Sequence, residues 1–325
     1  MPPVDPSRRT LLRLGAGVAT AGLLAGCSGE RLRTPWSPDP SPDPEDARAA
    51  PDIPLLQDAR ARVTAYREAL ARARPSGSRR RLARDLEEVW QTQVERLDLV
   101  LASLGADAGV AAPGDAGASS TTGGDAAATS AGPVELLEVG RAVRADLSAM
   151  VEGIAAATSS HRPMLLSLAA QHLAGAGRLG AATDWPPLVG PVGTAAVPVL
   201  ASTRPAVFAL EVVAARSGGA ERERYEDVLS PLRSVTRSLT TLAGDAAPVP
   251  PLGYDLPEPL SDGDERLDLA RAVVQDVAPA VLAVADRAGA DIEQVGSYLR
   301  LAVQARLWAD RLGVTDSAFP GMSLP

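Results

Sequence analysis

The sequence is poor in the side chains on which many catalytic and metal sites depend. Its 325 residues include one cysteine and two histidines. One cysteine excludes an intrachain disulfide framework and any cysteine-based zinc cluster. Two histidines leave little scope for imidazole-dependent catalysis or metal binding. Aromatic residues make up 3% of the chain, and lysine is absent, so all 32 basic residues are arginine.

The charge balance and the apolar content limit the class of protein further. The formal net charge is −8, which argues against a nucleic-acid binder. The hydrophobic fraction of 46% is sufficient for a buried core and excludes a fully disordered chain. A length of 325 residues favours two domains together with targeting or linking segments.

The N-terminus has the features of an export signal. Residues 7–13 contain the adjacent Arg8 and Arg9 of a twin-arginine motif, and an apolar run follows over residues 14–25. This run is too short to span the ~30 Å hydrocarbon layer of a membrane as a helix. It ends at Gly26-Cys27, in a pattern that resembles the bacterial lipobox. We therefore predict export by the twin-arginine translocase and lipidation of Cys27; the alternative is an incidental cysteine in a signal peptide that is cleaved elsewhere.

This reading divides the chain into four segments. We predict a signal peptide over residues 1–26, a proline-rich tether over 27–54, and helical bundles over 55–187 and 188–325. The mature protein would be anchored by Cys27 to the outer face of the cell membrane, with the tether extended by its prolines. Removal of residues 1–26, which hold three arginines and one aspartate, makes the mature chain more acidic.

Beyond the tether, apolar residues recur at steps of three and four, as expected for amphipathic helices that pack into bundles. No segment alternates as a strand would. Eight helices are predicted, and Pro231 and Pro279 are expected to kink two of them. Their apolar stripes begin at Leu56, Leu82, Val143, Leu165, Val207, Tyr225, Leu267 and Tyr298.

The eight predicted helices form two similar sets of four. The second helix of each set ends alike, at residues 101–108 and 239–246, and so does the fourth, at 178–184 and 311–316. A long connection follows the second helix in both sets; the first, over residues 105–132, is rich in Gly, Ala, Ser and Thr and is predicted to be disordered. The layout favours duplication of one bundle, although similar helix ends can also arise independently in a chain rich in Ala, Leu and Arg.

The second set resembles a known family. The resemblance lies in residues 207–216, the proline-rich loop at 248–257 and the tail at 318–322, and it extends over about 195–325. These segments are similar to the ferritin-like domain of unknown function found in exported lipoproteins of high-GC Gram-positive bacteria. The first set matches only in layout. The resemblance implies an all-α fold with two tandem ferritin-like four-helix bundles.

The chain departs from the family pattern where metal ligands are expected. The family places a Glu–His pair where this chain has Thr203, Arg204 and Pro205, and a second histidine near Leu232. A di-iron centre in a ferritin-like bundle also uses Glu-x-x-His on two helices. The residues three positions before His161 and His172 are threonine and alanine. We therefore assign no catalytic, cofactor-binding or metal-binding residues.

A few residues have both a functional and a structural interpretation. His172 lies on an apolar stripe, where a hydrogen-bonded core histidine is favoured over a ligand or proton carrier, and His161 is expected to cap or turn a helix. Glu211 could join Glu226 and Asp276 in an all-carboxylate site for Ca²⁺ or Mn²⁺, or else pair with arginine at a helix rim. Arginines 79–81 could contact anionic lipid headgroups or form a solvated helix start. Trp90, Trp185 and Trp308 are expected to pack in the cores.

These observations lead us to expect an exported, membrane-anchored lipoprotein with a non-enzymatic binding or scaffold role in the cell envelope. Its expected partners are the membrane, the twin-arginine translocase during export, and an envelope protein or ligand whose identity the sequence leaves open; no cofactor and no nucleic acid are expected. One alternative is a metal-dependent oxidoreductase or a metal-storage protein of the ferritin-like superfamily. Another is a structural envelope lipoprotein that associates through the apolar faces of its fifth helix.

Overall fold

The structure is a computed structural model that describes residues 51–106 and 134–322. Helices occupy most of these residues, and the described ranges contain no strand; Ala73 and Val134 form an isolated bridge. The all-α prediction is therefore confirmed. The ten α-helices are α1 Ile53–Arg72, α2 Arg79–Ser103, α3 Leu136–Ala145, α4 Leu147–Ala156, α5 Arg162–Arg178, α6 Ala196–Ala215, α7 Gly219–Ala243, α8 Gly263–Gln275, α9 Val277–Leu282 and α10 Ile292–Arg311.

The helices fall into two sets of five with similar lengths. Helices α1 and α6 have 20 residues each, and α2 and α7 have 25 each. The predicted third helix is interrupted, and so is the predicted seventh, close to Pro279, where a kink was predicted. Asp146 separates α3 from α4, and Asp276 separates α8 from α9. In the second set, Pro279 has no N–H to donate to the carbonyl of Gln275, which explains the break there; Pro231, in contrast, lies inside the uninterrupted α7.

Two helix starts show how local sequence sets the boundaries. Helix α1 begins at Ile53 with Pro54 in its first turn, where a missing N–H costs nothing. The helix therefore includes the last two residues of the predicted tether, while residues 27–50 lie outside the described part. Helix α8 begins with a capping box, in which the Glu265 N–H donates to Asp262 at 2.9 Å.

Within each set the first two helices are antiparallel. Arg67 on α1 contacts Glu87 on α2 at 2.8 Å, and in the second set Arg233 on α7 contacts Glu211 on α6 at 2.6 Å. Between the sets, α5 and α10 lie side by side in the same direction. Arg162 at the start of α5 lies 3.9 Å from Asp286, just before α10, and Arg178 at the end of α5 lies 3.6 Å from Asp310 near the end of α10.

The described residues 51–106 and 134–322 belong to one compact unit, and one hydrophobic core cluster takes side chains from all ten of their helices. The predicted boundary at 187–188 thus divides two halves of a single packed unit. Trp90 and Trp308 are buried in this core, as expected, whereas Trp185 is only partly buried. Most of the segment that was predicted to be disordered, residues 105–132, lies outside the described residues.

One described segment, Gly193–Ala215, is long and apolar enough to cross a membrane by length and composition. It contains α6, which contacts α7, α8 and α9. Nine of its residues are buried in the unit, including Val199, Leu200 and Leu210 at 0% exposure. These contacts account for its apolar character as that of a core helix.

Candidate functional site

The interior of the first half holds a group of polar and aromatic side chains contributed by different helices. Tyr66 lies on α1, Trp90 and Gln93 on α2, and His172 on α5. The ring of His172 meets Tyr66 edge-on, with centroids 5.3 Å apart, and Trp90 at 6.2 Å. All four side chains are buried. This interior site is the part of the described structure where a histidine could take part in chemistry.

The hydrogen bonds around His172 indicate a structural role for this side chain. Gln93 Nε2 donates to the carbonyl of Ala318 at 2.7 Å, so Gln93 Oε1 is the acceptor that faces His172 Nε2 at 2.9 Å. Nε2 therefore carries the proton. Burial, with a smaller contribution from the charge of Arg62, lowers the pKa of His172 to about 3. The ring is neutral at physiological pH and links α5 to the C-terminal tail, as the structural interpretation expected.

A second hydrogen bond occupies the break between α3 and α4. The Tyr66 hydroxyl donates to Asp146 Oδ2 at 2.5 Å. Burial and this bond raise the pKa of Tyr66, so the phenol remains protonated. The interaction gives Asp146 a partner at the point where α3 ends.

A small cavity lies beside His172. Its volume is about 20 Å³, and Arg62, Met150 and Leu168 contribute to its walls. This space is sufficient for about one water molecule. The half-buried Arg62 forms no ion pair with any residue in the described ranges, and its positive charge disfavours a cation there.

The predicted all-carboxylate site is not assembled. Glu211 pairs with Arg233 at 2.6 Å, and Glu226 pairs with Arg222 at 3.2 Å. Asp276 is exposed between α8 and α9. No group of three or more His, Cys, Asp or Glu residues suited to a metal ion occurs in the described ranges. These contacts support the interpretation of Glu211 as a residue at a helix rim that pairs with arginine.

His161 occupies the N-cap position of α5, near the start of α1, and its side chain contacts Asp52 and not the α5 backbone. Its Nδ1 lies 2.7 Å from Oδ2 of the buried Asp52, and the Thr158 N–H donates to Asp52 Oδ1 at 3.0 Å. Burial by itself would raise the pKa of Asp52, but the hydrogen bonds from Thr158 and His161 outweigh it and the pKa is lowered. This junction ties the start of α1 to the start of α5.

An ion-pair network joins the ends of α5 and α10 to the tail. Arg178 contacts Asp316 at 2.5 Å, and Arg306 pairs with the same carboxylate. Arg306 is only 4% exposed, so its charge depends on this partner. Burial would raise the pKa of Asp316, but Arg178 and Arg306 lower it. The tail continues to Pro320, whose carbonyl accepts from Ser167 at 2.8 Å.

The proline-rich connection from α7 to α8 is fixed at two points and exposed between them. Arg204 Nη1 donates to the Pro248 carbonyl at 2.5 Å, and the rings of Phe208 and Tyr254 lie 5.6 Å apart. Between these contacts Val249 and Leu252 are exposed at 92% and 110%. We call residues 247–257 the proline loop. It presents an apolar surface that the rest of the described structure leaves uncovered.

Comparison with known proteins gives a partial match to one family. Residues 195–324 match the family described as Domain of unknown function (DUF4439). This range includes α6–α10, the proline loop and the tail. No curated protein and no solved structure matches the chain. The match agrees with the expectation that the second half belongs to a domain family of unknown function.

Several functional residues were missed or cannot be located. Gln93 follows Trp90 by three residues on the apolar stripe of α2, and a polar residue at such a position could have indicated a buried hydrogen bond. Arg306 carries no comparable signal, because its partner Asp316 lies beyond the end of the helix. The predicted lipidation residue Cys27 and the export residues Arg8 and Arg9 lie outside the described residues.

Proposed function

We propose that the protein is an exported, lipid-anchored, non-enzymatic binding or scaffold protein of the cell envelope, in which the proline loop docks onto an envelope partner. In this proposal Arg8 and Arg9 direct export, and lipidated Cys27 holds the chain at the outer face of the membrane. Counting α3 with α4 and α8 with α9 as one interrupted helix each, we further propose that the two halves are ferritin-like four-helix bundles in tandem. The matched helix lengths and the long connection after the second helix of each half support this proposal.

The observation that carries the binding role is the exposure of Val249 and Leu252 on an anchored loop. Isolated exposed apolar side chains are common, but here two of them lie within four residues that also contain Pro250 and Pro251. Prolines restrict the backbone before any partner arrives, so docking costs less conformational entropy. The contacts of Arg204 and Phe208 hold the loop on α6 and have the same effect.

The loop's chemistry also indicates what kind of partner would bind it. Extended proline-rich segments bind in grooves lined by aromatic side chains. A second copy of this chain is poorly suited to provide such a groove, because aromatic residues are 3% of the sequence and Tyr66, Trp90, Tyr225, Tyr298, Trp308 and Phe319 are buried. We therefore propose a different envelope protein with an aromatic-lined groove.

The interior of the first half supports a non-enzymatic role. The buried histidine is neutral and hydrogen-bonded to Gln93, and the adjacent tyrosine donates to Asp146. General acid–base catalysis needs a group that titrates near the working pH and can reach a substrate. A histidine with a pKa of about 3 beside a cavity of about 20 Å³ has neither property.

A photo-crosslinking residue at Leu252 is expected to give one defined covalent adduct in membranes of the native host. A synthetic peptide of residues 247–257 should suppress the adduct, and a peptide of the same composition in scrambled order should not. Leu99, which is 61% exposed on α2, provides the control position and should give no such adduct. Three results would contradict the proposed docking: no adduct at Leu252, an adduct that the peptide does not suppress, or an adduct with another copy of this chain.

Elemental analysis addresses the enzymatic alternative. Protein purified from its native host is expected to contain iron and manganese far below one atom per chain, because the described histidines have protein partners and the carboxylates at the proposed rim pair with arginine. Stoichiometric iron or manganese would refute the non-enzymatic proposal and favour a metal-dependent oxidoreductase or metal-storage protein. A His172→Ala variant purified in parallel would show whether any such metal is held in the interior site.

A further inference from the structure

The turn between α1 and α2 concentrates positive charge on an acidic protein. Residues 69–84 contain six arginines and no acidic residue, in a chain with a net charge of −8. All six side chains belong to exposed residues. We call this group the arginine patch. It consists of Arg72, Arg74, Arg79, Arg80, Arg81 and Arg84.

Acidic groups of the protein neutralise little of the charge of the arginine patch. In the described ranges, none of its six arginines forms an ion pair, whereas Arg67, just before it on α1, is paired with Glu87 at 2.8 Å. Arg80 Nε donates only to the Pro75 carbonyl, at 3.2 Å. Three of the arginines occupy the first turn of α2, where the helix dipole is also positive and where no acidic residue is present. The exposed charges and the helix dipole therefore have the same sign and together attract a negative partner.

The acidic groups nearest in the fold do not neutralise the patch. Asp85 and Glu88 follow on α2 without forming ion pairs to it. Glu135 and Glu138, at the start of α3, are engaged with each other's backbone in a capping box. The patch therefore keeps most of its positive charge.

The surface beside the patch suits a phosphate ester that carries apolar chains. A concavity of about 680 Å³ is lined by Arg74 and Arg79 and by Leu136 and Leu137, with Glu135 of the capping box at its edge as the one acidic residue of the lining. Guanidinium groups form charge-assisted, often bidentate hydrogen bonds with phosphate oxygens. The partly exposed Leu137 offers an apolar contact next to those donors. This combination is better matched to a phospholipid headgroup than to a free phosphate ion.

We propose that the arginine patch docks the protein onto anionic phospholipid headgroups. Clusters of four to eight basic residues are typical of such contacts, and each basic residue strengthens binding by about fivefold. The patch lies at the opposite end of α1 from Asp52, about 30 Å away for a 20-residue helix. The approximately 26 residues from Cys27 to Asp52 can extend by about 3 Å each, so a lipid on Cys27 and the patch can reach one membrane together.

The proposal deepens the proposed membrane location, but vesicle binding tests it separately. The full chain with Cys27→Ala, which lacks the lipidation site, is expected to co-float with phosphatidylglycerol vesicles and not with phosphatidylcholine vesicles. Arg79→Gln, Arg80→Gln and Arg81→Gln together should weaken binding by about 100-fold. The corresponding three Arg→Lys changes should retain most of it, because the attraction depends mainly on charge.

A control of equal charge distinguishes the patch from overall electrostatics. Arg224→Gln, Arg237→Gln and Arg287→Gln together remove three exposed arginines elsewhere, and this variant should bind as the parent does. Equal loss in both triple variants, equal binding to the two vesicle types, or no binding to phosphatidylglycerol would overturn the proposal. Displacement by millimolar inorganic phosphate at constant ionic strength would also overturn it, because the ligand would then be phosphate and not lipid. The Leu252 adduct is independent of all these outcomes.

Discussion

Replacing Asp316 with alanine is expected to lower the free energy of unfolding by about 3 kcal/mol. The substitution leaves Arg306, which is 4% exposed, without its partner in the tail. It also removes the 2.5 Å contact to Arg178. Arg306 would keep only Asp310, at 3.8 Å, and a buried guanidinium without sufficient compensation is strongly destabilising. Urea unfolding should show the loss as a lower midpoint with an unchanged slope.

The pH dependence of this difference follows from the direction of the pKa shift. Asp316 has a pKa below its ordinary value of 3.8 in the folded chain. The stability that it contributes is therefore fully present above that ordinary value and is lost as the pH falls through the lowered, folded-state pKa. The wild-type protein and the variant should differ most near neutral pH and converge in strong acid.

A matched control is available on the surface. Asp268 pairs with Arg271 at 3.4 Å, but its side chain is 75% exposed. Asp268→Ala should change stability by no more than about 0.5 kcal/mol, because exposed pairs contribute little. A loss in Asp316→Ala no larger than in this control would mean that the network does not secure the tail.

After a high-salt wash, Cys27→Ala is expected to transfer nearly all of the protein from the membrane fraction to the soluble extracytoplasmic fraction. Each buried methylene of an acyl chain contributes about 0.8 kcal/mol to membrane binding, so two chains give stable anchoring that the variant lacks. Fractionation should include a high-salt wash, because salt screens the arginine patch and leaves an acyl anchor unaffected. Ser28→Ala provides a neighbouring control and should remain membrane-bound.

The opposite result would be equally clear. If Cys27→Ala stays in the membrane fraction after the salt wash, the lipoprotein proposal is wrong and another segment or partner must hold the protein. If it is released only by the salt wash, the arginine patch is sufficient for attachment under native conditions. The two membrane contacts are thus separated by one variant and one change of ionic strength.

Much of the fold could be predicted because helix formation depends mainly on residues that are close together in the sequence. Steps of three and four between apolar residues located the helices of both halves, and the predicted segments overlap the observed helices throughout the described ranges. The break at Asp146 was missed, since the apolar stripe continues across it and gives no sign that the backbone hydrogen-bond pattern changes. Only Pro279 offered a local indication, and it was read as a kink.

The candidate sites, too, could be predicted only in part from the sequence. The proline loop could be located from its composition, and the burial of His172 from its position on an apolar stripe. Its partner Gln93 and the link to Ala318 could not, because they join residues separated by 79 and 225 positions. The exposure of Val249 and Leu252 could not be predicted either, because it depends on which distant residues pack against the loop.

The sequence by itself determined the all-α class, the repeated order of helices and the scarcity of histidine and cysteine. It also carries the predicted export and lipidation signals. The tertiary structure decided that α5 and α10 lie in parallel, that the two halves share one core, and that Arg306 is buried against Asp316. Helical periodicity depends on neighbours three and four positions apart, whereas these pairings depend on which distant surfaces fit together.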